Sequence, residues 1–150
     1  MKKSQNMLVF KFGGASVKSA DAVKNVSKIL ALFPTDKRVV VVSAMGKTTN
    51  GLEEIVDALW AKNESLFYQL VADCHAYHES ILNGLFDTSA EPIFTEVKDV
   101  FDRLLARIKE PIGENYDFEY DQIVSLGEVL STLIVTAFLK QDGHQAVWAD

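Results

Sequence analysis

Cysteine is almost absent. Cys74 is the only one in 150 residues, which excludes an internal disulfide and a Cys-rich zinc site. Positive charge is also in short supply. Fifteen Lys and Arg stand against 21 Asp and Glu, a net charge of −6, so the chain carries no electrostatic footprint for a nucleic-acid backbone. Any anionic ligand must be held by local devices, such as backbone N–H groups and a placed lysine. The basic start Met1-Lys-Lys is followed only by the apolar run Met7–Phe10, too short for a signal-peptide core. Repeats, low-complexity tracts and linkers are missing as well. The expectation is a reduced, cytoplasmic protein with no nucleic-acid partner, whose 48% hydrophobic content suffices for one core.

One long run tests for a membrane span. Gln122–Leu139 carries a single charge, Glu128, and is at the short end for a hydrocarbon core of ~30 Å. A carboxylate in its middle, with Ser125, Ser131, Thr132 and Thr136 nearby, would be costly in lipid. The reading is a helix buried inside a globular protein, with no membrane partner.

Met7–Phe12 reads as a strand, apolar on both faces as in the middle of a parallel sheet. Gly13-Gly14 breaks it. Ser19 can cap a helix with Ala22, Val23, Val26, Ile29, Leu30 and Phe33 at helical spacing, closed by Pro34. Arg38–Ser43, with four consecutive valines, is a second strand. Strand, helix and strand with short connections imply a βαβ unit and a parallel pair. Leu52–Ala61, Glu64–Phe86 and Pro92–Lys109 then read as three helices, a helical insertion after the second strand. Asp121–Gln141 is the apolar helix, ended by Gly143, and Gln145–Ala149 opens another strand that runs to Asp150. The fold class is α/β, a mainly parallel sheet flanked by helices. In such sheets the strand ends and the loops after them carry ligands.

Three motifs sit at such places. In Lys11-Phe-Gly-Gly-Ala-Ser16, two glycines let backbone approach a phosphate and take φ > 0 values, and successive N–H groups can cradle an anion before a helix N-terminus. A plain turn with a solvated lysine fits this stretch equally well. Gly46-Lys47-Thr48-Thr49 resembles a Walker A loop, but the glycine needed five positions before the Gly-Lys pair is Val41. What remains is a hydroxyl-rich strand-end loop, Ser43, Thr48, Thr49 and Asn50, suited to a small polar substrate; Asn50 could equally cap the helix starting near Leu52. Glu128 on its uncharged helix reads as shielded from water, so it needs a partner. That partner is either a structural Lys, Arg or backbone group, or a substrate ammonium, with Gly127 letting a ligand or the neighbouring strand come close. Cys74-His75 and His78 find no second ligand cluster and read as helix-surface residues rather than a metal site.

Taken in order, Lys11-Phe-Gly-Gly-Ala-Ser-Val17, Ser43-Ala-Met-Gly-Lys-Thr-Thr-Asn50 and Gly127-Glu-Val-Leu-Ser131 resemble the aspartate kinases of the amino acid kinase superfamily, over the whole chain. Ala15 stands where threonine is commoner. The resemblance implies transfer of the γ-phosphoryl group of ATP to the side-chain carboxylate of L-aspartate, with Mg²⁺, in the pathway to lysine, threonine and methionine. It implies that Lys11, Phe12, Gly13, Gly14 and Ser16 bind the ATP phosphates, Lys11 stabilising the transferred group. Thr49 and Glu128 would bind aspartate, Glu128 near its α-amino group, with Ser43 a weaker candidate; no residue is assigned to a metal. It also implies that residues 1–150 are the N-terminal part of one catalytic domain, inactive alone. The nucleotide half, its Arg-Ser-Asp loop and the regulatory ACT domains would lie beyond Asp150, and the full-length protein would be a homo-oligomer. Alternatives are another amino acid kinase, such as glutamate 5-kinase or acetylglutamate kinase, or a non-catalytic domain that binds an anion or a partner protein.

Overall fold

Hydrophobic alternation and helical stripes resolve into two strands and six α-helices in a computed structural model, which describes residues 7–34, 37–89, 91–113 and 115–149. The basic start before Met7 and the terminal Asp150 lie outside the described residues. Strand β1 (Met7–Phe12) leads through a 3₁₀ turn (Gly14–Ser16) to α1 (Ala20–Ala31), and β2 (Lys37–Val42) follows. The strands pair in parallel with Met7 opposite Lys37 and Phe12 opposite Val42, as the short strand–helix–strand spacing predicts. Ser19 caps α1 by accepting a hydrogen bond from Ala22 N at 3.2 Å.

The strands are not buried on both faces. Leu8, Phe10 and Phe12 and their neighbours Val40 and Val42 face the helices, while Val9 is 69% exposed and Val41 45% exposed on the other side. Apolar residues on both faces announce a doubly covered sheet, and the described residues cover one face only.

The helical insertion is α2 (Thr48–Trp60), α3 (Glu64–Leu85) and α4 (Pro92–Arg107). Helix α2 starts four residues before the expected Leu52. A turn donating Thr48 N to Met45 O at 3.0 Å initiates it, so Asn50 lies inside the helix and caps nothing. The apolar helix is two segments, α5 (Tyr116–Val124) and α6 (Leu126–Gln141), joined at a helical Ser125. Together they are long and apolar enough to cross a membrane by length and composition, yet Leu130, Ile134, Val135 and Phe138 are buried in the shared core. Helix α5 packs on α2, and α6 packs on α4, α1 and β2.

Two buried polar groups hold this packing together. Ser27 Oγ, on α1, donates to Asp142 Oδ2 and meets His144 Nε2 at 2.8 Å, pinning the end of α6 to α1. Glu119 on α5, 1% exposed, accepts from Arg107 Nε at 3.0 Å and from Gly113 N at 3.1 Å, and Arg107 Nη2 adds a second charged contact. Residues 145–149 form no strand: Val147 is exposed, Ala146 N bonds back to His144 O, and Trp148 Nε1 donates to Thr132 Oγ1 at 3.0 Å. A strand needs a neighbour to satisfy its ladder, and the described residues offer none there.

Candidate functional site

The three motifs meet at the carboxyl ends of β1 and β2. Ser43 N donates to Phe12 O at 3.0 Å, which extends the strand pairing by one step, and Gly46 N donates to Gly14 O at 3.0 Å across the two loops. The approach is tight. A Cβ on Gly14 would lie 2.7 Å from the Ala44 carbonyl oxygen and 2.9 Å from that of Gly46. From the other side of the chain α6 closes in, where a Cβ on Gly127 would lie 2.9 Å from the Ala44 Cβ. Gly127 therefore serves the approach of the strand-end loop rather than that of a ligand.

The first loop departs from its sequence reading in one respect. Neither Gly13 nor Gly14 takes a positive φ; Gly46, at +58°, does. Gly13 has φ −75° and ψ 170°, backbone any residue adopts, and a Cβ there would meet nothing within 4 Å. The fold itself thus gives Gly14 a reason to be glycine and gives Gly13 none. Ser16 N closes the 3₁₀ turn on Gly13 O at 2.8 Å, and the Ser16 side chain is exposed. Lys11 is exposed and lies on the uncovered face of the sheet, beside Val9 and opposite Val41. Phe12 is buried and stacks on Phe10.

Glu128 is exposed, not shielded. Its Oε1 accepts a long hydrogen bond from Ala44 N, 3.4 Å, and it makes no salt bridge among the described residues. The reason is a polar stripe that the apolar composition of α6 conceals. Ser125, Glu128, Thr132, Thr136 and Lys140 recur at three- and four-residue spacing, the signature of one helix face, and none of them is buried. Ser43 in the strand-end loop and Thr49 in the first turn of α2 are half-buried. Thr48 is buried and committed, its Oγ1 donating to Met45 O at 2.6 Å.

His78 also departs from its surface reading. It is fully buried on α3, not on the helix surface, with Nδ1 2.8 Å from Cys74 O, Nε2 3.4 Å from Thr48 Oγ1 and its ring against Phe101. Burial, and the charge of His75, push its pKa down, against the opposing hydrogen bond to the Cys74 carbonyl. Burial pushes the Cys74 thiol up to about 12, so it is an inert thiol at neutral pH. Glu119 with Arg107 was missed by the sequence reading; an acidic residue in the first turn after an Asn cap looks like helix-dipole matching, and only the fold brings Arg107 to it.

Gly13, Ser16 and Glu128 are exposed around the strand ends, and Lys11 is exposed just before them on the uncovered face of the sheet. Two clefts, of about 510 and 570 Å³, lie between α4 and α6 and beside α2 and α3; Gly46, Lys47 and Thr48 of the second motif line the latter, whereas Lys11, Gly13, Ser43, Thr49 and Glu128 line neither. Such groups can present backbone amides and a lysine to an anion, and a carboxylate with no salt bridge among the described residues to a cation.

The amino acid kinase family matches residues 6–150. Aspartokinase 1, chloroplastic, of Arabidopsis thaliana is 35% identical over 143 residues, covering 92% of this chain and 24% of the relative. Aspartokinase 2, chloroplastic, of the same plant is 32% identical over 146 residues, 92% of this chain and 25% of the relative. The chain therefore spans about a quarter of the length of these relatives. In fold it matches the crystal structure of E. coli aspartokinase III in complex with aspartate and ADP, with TM-score 0.80 and 24% identity over 93% of this chain and 30% of the other. The same enzyme in complex with lysine and aspartate matches with TM-score 0.70 and 25% identity, over 93% and 30%.

Proposed function

The chain belongs to the amino acid kinase family, and from that premise we propose that it is the N-terminal part of an aspartate kinase catalytic domain. The reaction is transfer of the γ-phosphoryl group of ATP to the side-chain carboxylate of L-aspartate. A carboxylate oxygen of aspartate attacks the γ-phosphorus, the bond to the β,γ-bridging oxygen breaks, and ADP leaves beside 4-phospho-L-aspartate. No protein nucleophile is needed. Such a transfer asks the protein for positioning and for charge stabilisation.

One observation carries the reading. Segments from residues 11–16, 43–49 and 127–128 converge on a single rim, where Ala44 N touches Glu128 and Gly46 N touches Gly14. On that rim the Gly13-Gly14 amides and Lys11 receive the phosphates, with Phe12 and Ser16 holding the turn in place. Gly13 supports this role because its missing Cβ leaves open space that no part of the described chain requires. Thr49 and, more weakly, Ser43 hydrogen-bond aspartate. Glu128, a carboxylate without a cationic partner among the described residues, takes its α-ammonium. Mg²⁺ comes with the nucleotide and offsets charge on the phosphates. Among the described residues no group of three or more His, Cys, Asp or Glu could ligate a metal.

The setting that fits is a reducing, cytoplasmic one, in the biosynthesis of lysine, threonine and methionine, with the full-length protein a homo-oligomer. The experiment is aspartate-dependent ADP release by the full-length protein, with hydroxylamine trapping the acyl phosphate as its hydroxamate. Turnover with aspartate and not with glutamate or N-acetylglutamate is expected. Preference for either of those acceptors would move the assignment to another amino acid kinase, and no turnover with any acceptor would leave an anion-binding domain.

A further inference from the structure

Tyr77 reaches from the helical insertion into the gap between the first two loops. Its hydroxyl donates to the Lys18 carbonyl at 2.7 Å, in the segment between the Gly13-Gly14 turn and α1. The same oxygen stands over Gly46: a Cβ built there would lie 2.5 Å from Tyr77 Oη and 3.5 Å from Lys18 Cβ. Gly46 has φ +58°, a conformation that costs a residue bearing a Cβ, and its N–H holds Gly14. Burial and the neighbouring Cys74 raise the Tyr77 pKa, which keeps the hydroxyl a donor at neutral pH. One side chain of α3 thus touches the loop after β1 and the loop after β2 at once.

We propose that Tyr77 is a positioning residue for phosphoryl transfer, clamping the Gly46 turn against the Lys18 carbonyl so that the phosphate loop and the first turn of α2, which bears Thr49, keep one fixed separation. This deepens the aspartate kinase reading and rests on it for the choice of assay. Phosphoryl transfer is sensitive to such a separation, since a displacement of about 1 Å between reacting groups can cost on the order of 10²-fold in rate. It also gives the helical insertion a task at the site, although Tyr77 has no place on the rim itself.

The test is a cycle of Tyr77→Phe, Gly46→Ala and the double variant in the full-length enzyme, assayed well below each Tm. Tyr77→Phe keeps the ring and removes the donor. It should lower kcat/KM for aspartate on the order of tenfold in fully folded enzyme, where a hydroxyl that only stabilises the fold would move Tm alone. Gly46→Ala should cost several-fold more in the wild-type background than in the Tyr77→Phe background, because the oxygen its Cβ meets is then gone. Equal costs in both backgrounds, or Tyr77→Phe within twofold of wild type, would overturn the proposal. Should the wild-type protein show no aspartate-dependent turnover, the substrate reading falls. With no transfer to position, what remains is the contact between Tyr77 and Gly46, which additive Tm shifts across the four proteins would overturn.

Discussion

Gly14 and Ala44 approach so closely that a Cβ on the first would lie 2.7 Å from the carbonyl oxygen of the second. Backbone rather than a flexible side chain fills that space, so Gly14→Ala must push the two loops apart and weaken the bond from Gly46 N. Overpacking of this kind costs about 1–3 kcal/mol. Gly13→Ala is the opposite case: its φ of −75° suits alanine and nothing stands within 4 Å. Removing a glycine where the backbone fits should leave stability unchanged or raise it by about 0.4–1 kcal/mol. If phosphate occupies the space over Gly13, the same variant raises the KM for ATP. Thermal melts and ATP titrations on the two variants check the contrast, and unchanged ATP affinity in Gly13→Ala would remove the phosphate from that turn.

Glu128→Gln separates ligand binding from folding. The carboxylate is exposed and unpaired by any cation among the described residues, so its loss should shift stability by no more than about 0.5 kcal/mol. A contact to the substrate ammonium should be worth about 1.5–3 kcal/mol, on the order of 10- to 100-fold in the KM for aspartate. ATP affinity should stay close to wild type. A KM for aspartate equal to that of wild type would free Glu128 of the role.

These two sites also show how far the sequence can be read. Strands β1 and β2, the Ser19 cap and the boundaries of α3 and α4 follow from local patterns, and local chemistry sets them in the fold. The meeting of Gly14, Ala44 and Glu128 was legible only as three separate motifs, since no spacing rule joins residues 84 positions apart. Glu128 was misjudged as shielded because it is the single charge between Asp121 and Lys140, and the polar stripe of α6 shows only when residues are taken at helical spacing. The strand expected at 145–149 failed for the opposite reason: a β pattern is necessary, but a partner decides. His78 and Glu119 look like ordinary helix residues until Phe101 and Arg107 arrive from α4.

Breaking the Glu119–Arg107 pair should be the most damaging single change outside the rim. Glu119 is 1% exposed and Arg107 only 18% exposed at its side chain. Glu119→Ala strands the guanidinium with only the exposed Glu110, whose Oε2 lies 2.6 Å from Arg107 Nη1, and frees Gly113 N. Removing one member of a buried ion pair costs about 3–5 kcal/mol, a fall in Tm on the order of 10 °C at this chain length. Differential scanning calorimetry measures it directly. A fall under about 2 °C would mean that solvent reaches the pair freely.

His78 should make the fold weaken in mild acid. Its pKa is lowered by burial and by His75, while an unfolded histidine titrates near 6.5. The groups facing it are Cys74 and His75 on its own helix, Tyr77 edge-on, Thr48 from α2 and Phe101 from α4, and none of these is an acid that would hold an imidazolium. The sign follows from proton counts. Below about pH 6.5 the unfolded chain binds a proton that the folded chain refuses, so stability rises with pH through this range. The contribution is fully present above about pH 6.5 and is lost as pH falls toward the depressed folded value, with a limiting slope of about 1.4 kcal/mol per pH unit. Carboxylates held by cations would give a slope of the same sign, so the informative quantity is a difference. Urea unfolding of wild type and His78→Asn between pH 7.5 and 5, both within the assay range set by the unfolded histidine pKa of about 6.5, should give a steeper loss in wild type. Parallel stability curves for the two proteins would mean that His78 takes up its proton inside the core, with the Thr48 hydroxyl and the Cys74 carbonyl accepting both ring N–H groups.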